Sequence, residues 1–145
     1  MKLEQVQEYE KAVIFLLNLD GWDLKWTGNE DKYKHYDASG YTPKTDKDGN
    51  RIRCVIEMKF RNKYYPEKLL EKSKLDYLMS MDKDIVKLYF VADEKGNYLF
   101  WLNDIKLPKV EKRYCPSTTL WSNKKESKEV YLLKENLASR INWNN

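Results

Sequence analysis

From residue 51 to residue 61 apolar and polar side chains alternate along the chain. Ile52, Cys54, Ile56, Met58 and Phe60 take one parity, and Arg51, Arg53, Val55, Glu57, Lys59 and Arg61 take the other. Successive side chains of an extended strand point to opposite faces, so this spacing predicts a strand with one face for a core. The other face then carries Glu57 and Lys59 side by side, roughly 7 Å apart at two residues' rise. A carboxylate and an ammonium held in that way suit a divalent cation and an adjacent anionic oxygen. Taken alone, the same face reads as a polar surface that meets water. Just upstream, residues 44–50 (Lys-Thr-Asp-Lys-Asp-Gly-Asn) predict a hairpin turn with Asp-Gly at its tip. Such a turn folds Asp37 back to within a few residues of Glu57.

Helical spacing appears earlier. Leu3, Val6, Tyr9, Val13, Ile14, Leu16 and Leu17 predict an amphipathic helix over residues 3–19, ending at Asp20-Gly21, where glycine suits a left-handed cap. Glu10 lies four residues after Val6 and four before Ile14, inside the apolar stripe, whereas Glu4, Glu8 and Lys11 fall outside it. A carboxylate there costs free energy unless it is paired, protonated or bound to a cation. The other reading is a residue at the stripe's edge that reaches solvent. Residues 22–26 predict a short strand. After the Glu57 strand, Pro66 at a first helical position predicts a second helix to about residue 81. Its inner face is Leu69, Leu70, Ser73, Tyr77 and Met81, flanked by Lys68, Lys72 and Lys74 as solvated charges or phosphate contacts. Residues 84–92 end in a nearly continuous apolar run, suited to a sheet centre covered on both faces, and residues 98–102 return as a partner strand. Residues 103–127 read as a long irregular connection, and residues 129–133 as an edge strand.

Composition narrows the classes. A chain of 145 residues is long enough for one domain with a single core, and its 14% aromatic content argues against disorder. The net charge is only +4, but 27 basic side chains permit a local basic face compatible with nucleic acid. No run approaches membrane-spanning length and the first residues lack a signal-peptide core, so a cytoplasmic location is expected. Cys54 and Cys115 form no metal pattern or disulfide framework, and a single histidine argues against a zinc site. Hard-cation chemistry on carboxylates stays available.

Asp37, followed about twenty residues later by Glu57-Met58-Lys59 on a strand, resembles the PD-(D/E)XK nuclease superfamily. The predicted order over about residues 3–102 is similar to that superfamily's core as well. Within it the likeness is greatest to archaeal-type Holliday junction resolvases, which carry an acidic residue on the first helix about eleven positions before a Gly-aromatic pair. Glu10 stands eleven before Gly21-Trp22. Two departures stand out. Tyr36 occupies the place of the motif's proline, and Ser73-x-x-x-Tyr77 stands where the exonuclease-like branch shows Gln-x-x-x-Tyr. Residues 103–145 lie outside the resemblance. What it implies is a single α/β domain over 1–145 with a restriction-endonuclease-like core of order αβββαββ, a mixed β-sheet flanked by helices, and a C-terminal extension.

The resemblance also implies a Mg2+-dependent deoxyribonuclease, with Mn2+ able to substitute. Asp37, Glu57 and the Met58 backbone carbonyl would hold the ion, and Glu10 would act through water or a second ion. Lys59 would orient the attacking water and stabilise developing negative charge. DNA is the expected partner, with Lys72, Lys74, Arg113, Lys124 and Lys125 as contacts. Resolvase-like members are dimers, and residues 98–102 as an edge strand offer a surface for a homodimer. The alternative is a nucleic-acid or protein-binding module that keeps the fold without catalysis.

Overall fold

The computed structural model describes residues 1–28, 36–116 and 125–143. Along the chain lie α1 (Leu3–Leu19), β1 (Asp23–Trp26), β2 (Ala38–Thr45), β3 (Arg51–Phe60), β4 (Glu67–Glu71), α2 (Lys72–Met79), β5 (Val86–Asp93) and β6 (Gly96–Trp101). They are followed by β7 (Glu111–Pro116), β8 (Lys125–Lys134), a 3-10 turn (Glu135–Leu137) and β9 (Ser139–Ile141). Among the described residues the strands form a mixed sheet in the order β1-β2-β3-β5-β6-β9 and a smaller sheet in the order β4-β8-β7.

The alternating segment forms β3, at the middle of the larger sheet, antiparallel to β2 and parallel to β5. Ile56, Met58 and Cys54 face α1 and pack with Val13, Ile14, Leu17, Leu88 and Phe90. Val55 faces the other way, into a second apolar layer with Tyr89 of β5 and with Leu70, Leu75, Leu78 and Leu133 from α2 and the smaller sheet. Both faces of β3 are therefore covered, and so are both faces of β5, as its apolar run requires. Helix α1 ends where expected: Asp20 and Trp22 N–H groups return to the Leu17 carbonyl at 2.8 and 3.2 Å. Gly21 takes a φ of 95° there, a conformation that favours glycine. The β2–β3 hairpin closes through Asp46 and Asn50, whose N–H and C=O meet at 2.8 Å.

Several expectations are corrected. Residues 67–71 form β4 instead of the first turns of a helix, so α2 is short and starts at Lys72. The segment Glu-Lys-Leu-Leu-Glu has good helix propensity, but pairing with β8, which sets Leu70 opposite Tyr131, overrides it. Strand alternation then turns Lys68 inward, where it is 1% exposed and paired with Asp93 at 2.7 Å, far from the solvated flank predicted for it. Ser73, predicted inward, is exposed, and Leu75 and Leu78 form the buried face of α2.

The connection over 103–127 is not wholly irregular, because residues 111–116 pair with 125–130 as β7 and β8. Residues 129–133 are the centre of the smaller sheet, not its edge. The edge over 98–102 proposed for dimer pairing is occupied in part: Asn97, Tyr98 and Leu99 of β6 pair with Ile141, Arg140 and Ser139 of β9. No helix among the described residues is long and apolar enough to cross a membrane.

Candidate active site

Strand β3 outlasts its neighbour β2, and the site lies where β2 stops. The last β2–β3 pair on that side is Ala38 with Ile56, while residues 57–60 pair only with β5. Asp37 stands just beyond the end of β2, with its N–H on the Ile56 carbonyl at 2.8 Å and its carbonyl accepting the Thr27 N–H at 2.9 Å. The Thr27 hydroxyl donates to the Tyr36 carbonyl at 2.9 Å and pins the same turn to the end of β1. The Met58 N–H, left without a strand partner on that edge, donates to Asp37 Oδ2 at 2.8 Å. N–H and C=O of one strand residue leave on the same edge, so the Met58 carbonyl faces the same gap.

Helix α1 delivers Glu10. It is 7% exposed and belongs to the buried face with Val13, Ile14 and Leu17, so the stripe-interior reading holds. The Trp26 indole N–H donates to Glu10 Oε1 at 2.9 Å, and the Glu10 and Asp37 carboxyls share a hydrogen bond. Glu57 enters from the opposite face of β3 and is 5% exposed. Its Oε1 accepts from the Lys74 ammonium of α2 at 2.6 Å.

The electrostatics follow from burial and crowding. Burial, then the charge of Asp37, pushes Glu10 from 4.5 up to about 7. The interaction between the two carboxyls raises Glu10 and lowers Asp37. Burial also raises Asp37, although the Met58 N–H and Lys74 oppose it. Burial pushes Glu57 to about 7 against the pull of Lys74. Lys59 reaches solvent, yet partial enclosure of its ammonium, with the charges of Lys74 and Arg61, draws it below the ordinary lysine value. Burial works against the charge on Lys74 too, but Glu57 and Glu71 outweigh it and hold Lys74 above that value.

The structure thus brings Glu10, Asp37, Glu57 and Lys59 to one place. Among the described residues no three His, Cys, Asp or Glu side chains are disposed as a ready metal shell. The donor set nevertheless suits a hard divalent cation. Magnesium keeps several waters and asks for one or two carboxylates, which Asp37 and Glu57 provide, and the Lys74 ammonium already lies against Glu57 as a positive group.

The expected nucleic-acid contacts are scattered. Lys74 sits in the site. Lys72 pairs with Asp76 at 2.6 Å and lines a cleft of about 430 Å³ whose other walls include Glu71, Glu126 and Glu129. Arg113 is exposed on β7, 3.2 Å from Glu111. Lys124 and the side chain of Lys125 lie outside the described residues. Sequence reasoning missed Trp26 as the partner of Glu10, although its place at the end of an alternating strand was visible. It also missed Glu71, which joins the site's field and pairs with Lys128 of β8 at 3.0 Å. No local pattern marks that pair, which exists because β4 pairs with β8 and sets Glu71 opposite Val130.

No family model matches the chain, and no curated protein matches it either. Among solved structures it is similar to Archaeoglobus fulgidus Hjc, a Holliday junction resolvase from an archaeal hyperthermophile. The TM-score is 0.60 at 11% identity, over 92% of this chain and 89% of that one. The fold of this chain is therefore the restriction-endonuclease-like fold of that resolvase, as the spacing of Glu10, Asp37 and Glu57-Met58-Lys59 had implied.

Proposed function

We propose that the protein is a divalent-metal-dependent nuclease that hydrolyses phosphodiester bonds of DNA, with branched DNA among its substrates. One observation supports the reading most: the charge of Asp37, at the end of β2, acts both on Glu10 of α1 and on Glu57 of β3, where β2 leaves the β3 edge open. Asp37, Glu57 and the Met58 carbonyl would hold Mg2+ or Mn2+, with Glu10 acting through water or a second ion. The chemistry supplied with such an ion in place is polarisation of a phosphate oxygen and acidification of a water.

The chain's own groups do the rest. The Met58 N–H fixes the Asp37 carboxylate, and the Trp26 N–H fixes that of Glu10. Lys59 orients the attacking water and stabilises the charge that develops on the phosphate. Arg113, Lys72, Lys124 and Lys125 contact the DNA backbone. A homodimer would need a surface other than the 97–99 stretch of β6, which β9 covers.

The second reading, a nucleic-acid-binding module without catalysis, is favoured by the Lys74–Glu57 pair, which engages one of the two principal carboxylates. Digestion of labelled duplex, four-way-junction, flap and single-stranded DNA and of RNA, with Mg2+, Mn2+ or chelator, decides between them. Cleavage that needs the metal is expected. Binding without cleavage under every condition would establish the second reading, and cleavage undiminished by chelator would remove the metal from the first.

A further inference from the structure

We propose that Lys74 is a tethered cation that stands against Glu57 when no divalent ion is bound and that, once displaced by the ion, becomes a contact to the substrate phosphate. The inference rests on the nuclease reading above for its second half only.

The first support is geometric. Lys74 Nζ lies 2.6 Å from Glu57 Oε1, with the Glu57 side chain 7% exposed and that of Lys74 31% exposed. The ammonium therefore engages one carboxylate oxygen and is the more exposed partner of the pair. Its field also reaches Asp37 and Glu10, so one positive charge serves all three acids.

The second support is that helix stability gives no reason for a lysine there. Lys74 lies in the first turn of α2, a turn with no acidic residue, where the partial positive charge of the helix end disfavours a cation. Glu57 gives the reason.

The third is chemical. A divalent ion on Asp37 and Glu57 competes with Lys74 for the same oxygen and repels its ammonium. A lysine carries its compact charge on a flexible four-carbon stem and can turn away without moving the backbone. The ammonium released in this way lies at the site's mouth beside Lys59 and Arg61, whose charges already act on one another. An incoming phosphate oxygen is the group that these cations lack.

Two other roles make different forecasts. A permanent structural ion pair touches no substrate under any condition. A constitutive phosphate contact touches it with or without the ion.

The test compares the full chain with Lys74→Met, which keeps the stem and removes the charge, and uses Lys83→Met as the control for ion binding. Lys83 is exposed in the turn between α2 and β5. Should Lys74→Met melt early, Lys74→Gln takes its place. Calcium binding is measured by titration calorimetry near about pH 9, above the values of about 7 for Glu10 and Glu57, so that protons do not compete. Lys74→Met should bind calcium about tenfold more tightly, since a competing like charge is gone, and Lys83→Met should match the parent. Unchanged or weaker calcium binding in Lys74→Met overturns the tethered-cation half.

The affinity for a labelled four-way junction is then measured against salt, with calcium and with chelator. With calcium, the slope of log affinity against log salt should be shallower in Lys74→Met by about one phosphate contact. With chelator the two slopes should coincide. A shallower slope under both conditions marks a constitutive contact, and equal slopes under both mark a structural pair; either result overturns the proposal. If no protein binds DNA at all, the nuclease reading and the phosphate-contact half fail together, while the calcium titration still decides the first half.

Discussion

Replacing Glu10 by Gln separates the charge of this side chain from its shape. The amide oxygen still accepts the Trp26 N–H, and the amide nitrogen offers a donor towards Asp37. In the parent protein, burial and Asp37 raise Glu10 from 4.5 to about 7. The folded chain therefore holds a proton between those values that the unfolded chain has lost, and stability falls as pH rises through that window. At about 1.4 kcal/mol per tenfold change in proton affinity, the loss amounts to about 3 kcal/mol by pH 7 and above. With 7% of its surface exposed, Glu10 gets little relief from solvent.

Glu10→Gln has no such proton to lose. Without metal, it should match the parent near pH 4.5 and exceed it by about 3 kcal/mol at pH 8. For a chain of this size that gap is a rise of about 6–12 °C in Tm. Saturating magnesium should close the gap, because an ion stabilises the ionised site of the parent more than the neutralised one. Urea unfolding across pH, with and without chelator, measures both. Glu8→Gln, on the exposed side of α1, is the matched control. Parallel stability curves for Glu10→Gln and the parent would refute the reasoning and remove Glu10 from the site.

Other expectations separate chemistry from scaffold. Asp37→Asn, Glu57→Gln and Lys59→Ala should each abolish DNA cleavage with little loss of Tm, whereas Ile56→Asn, at a position with 0% exposure, should cost about 3–5 kcal/mol in a urea melt. If the first three unfold the chain as readily, they are structural residues. Gly40→Ala should disrupt the β1–β2 pairing, since a Cβ there would lie 1.9 Å from the Asp23 carbonyl oxygen; a normal melt would show that β1 can shift. Lys68→Met strands the buried Asp93 and should cost about 3–5 kcal/mol, most of it recovered when Asp93→Asn is added; equal stability of the single and double variants would deny the pair its role. Arg113→Ala should shallow the salt slope of DNA binding by about one unit, and an unchanged slope would place the binding face elsewhere.

What the sequence determined by itself was local. The alternation over 51–61 and the Asp-Gly turn specify β3, its partner β2 and their register, since a slip by one residue would turn Ile56 and Met58 away from the core. The helical stripe specifies the buried face of α1, and with it the inward position of Glu10. Together these elements account for three of the site's carboxyl groups, which is why spacing alone carried the likeness to the resolvases. Tertiary structure decided the rest, through partners distant in the chain. Residues 67–71 are a strand because β8, about 60 positions later, offers pairing that outweighs helix propensity. Lys68 is buried for the same reason, held by Asp93 and the Tyr64 and Tyr98 rings. Lys74 belongs to the site because the shortened α2 sets its first turn over Glu57. A charged side chain shows its type in the sequence, but its partner is chosen by the packing of elements that no local pattern brings together.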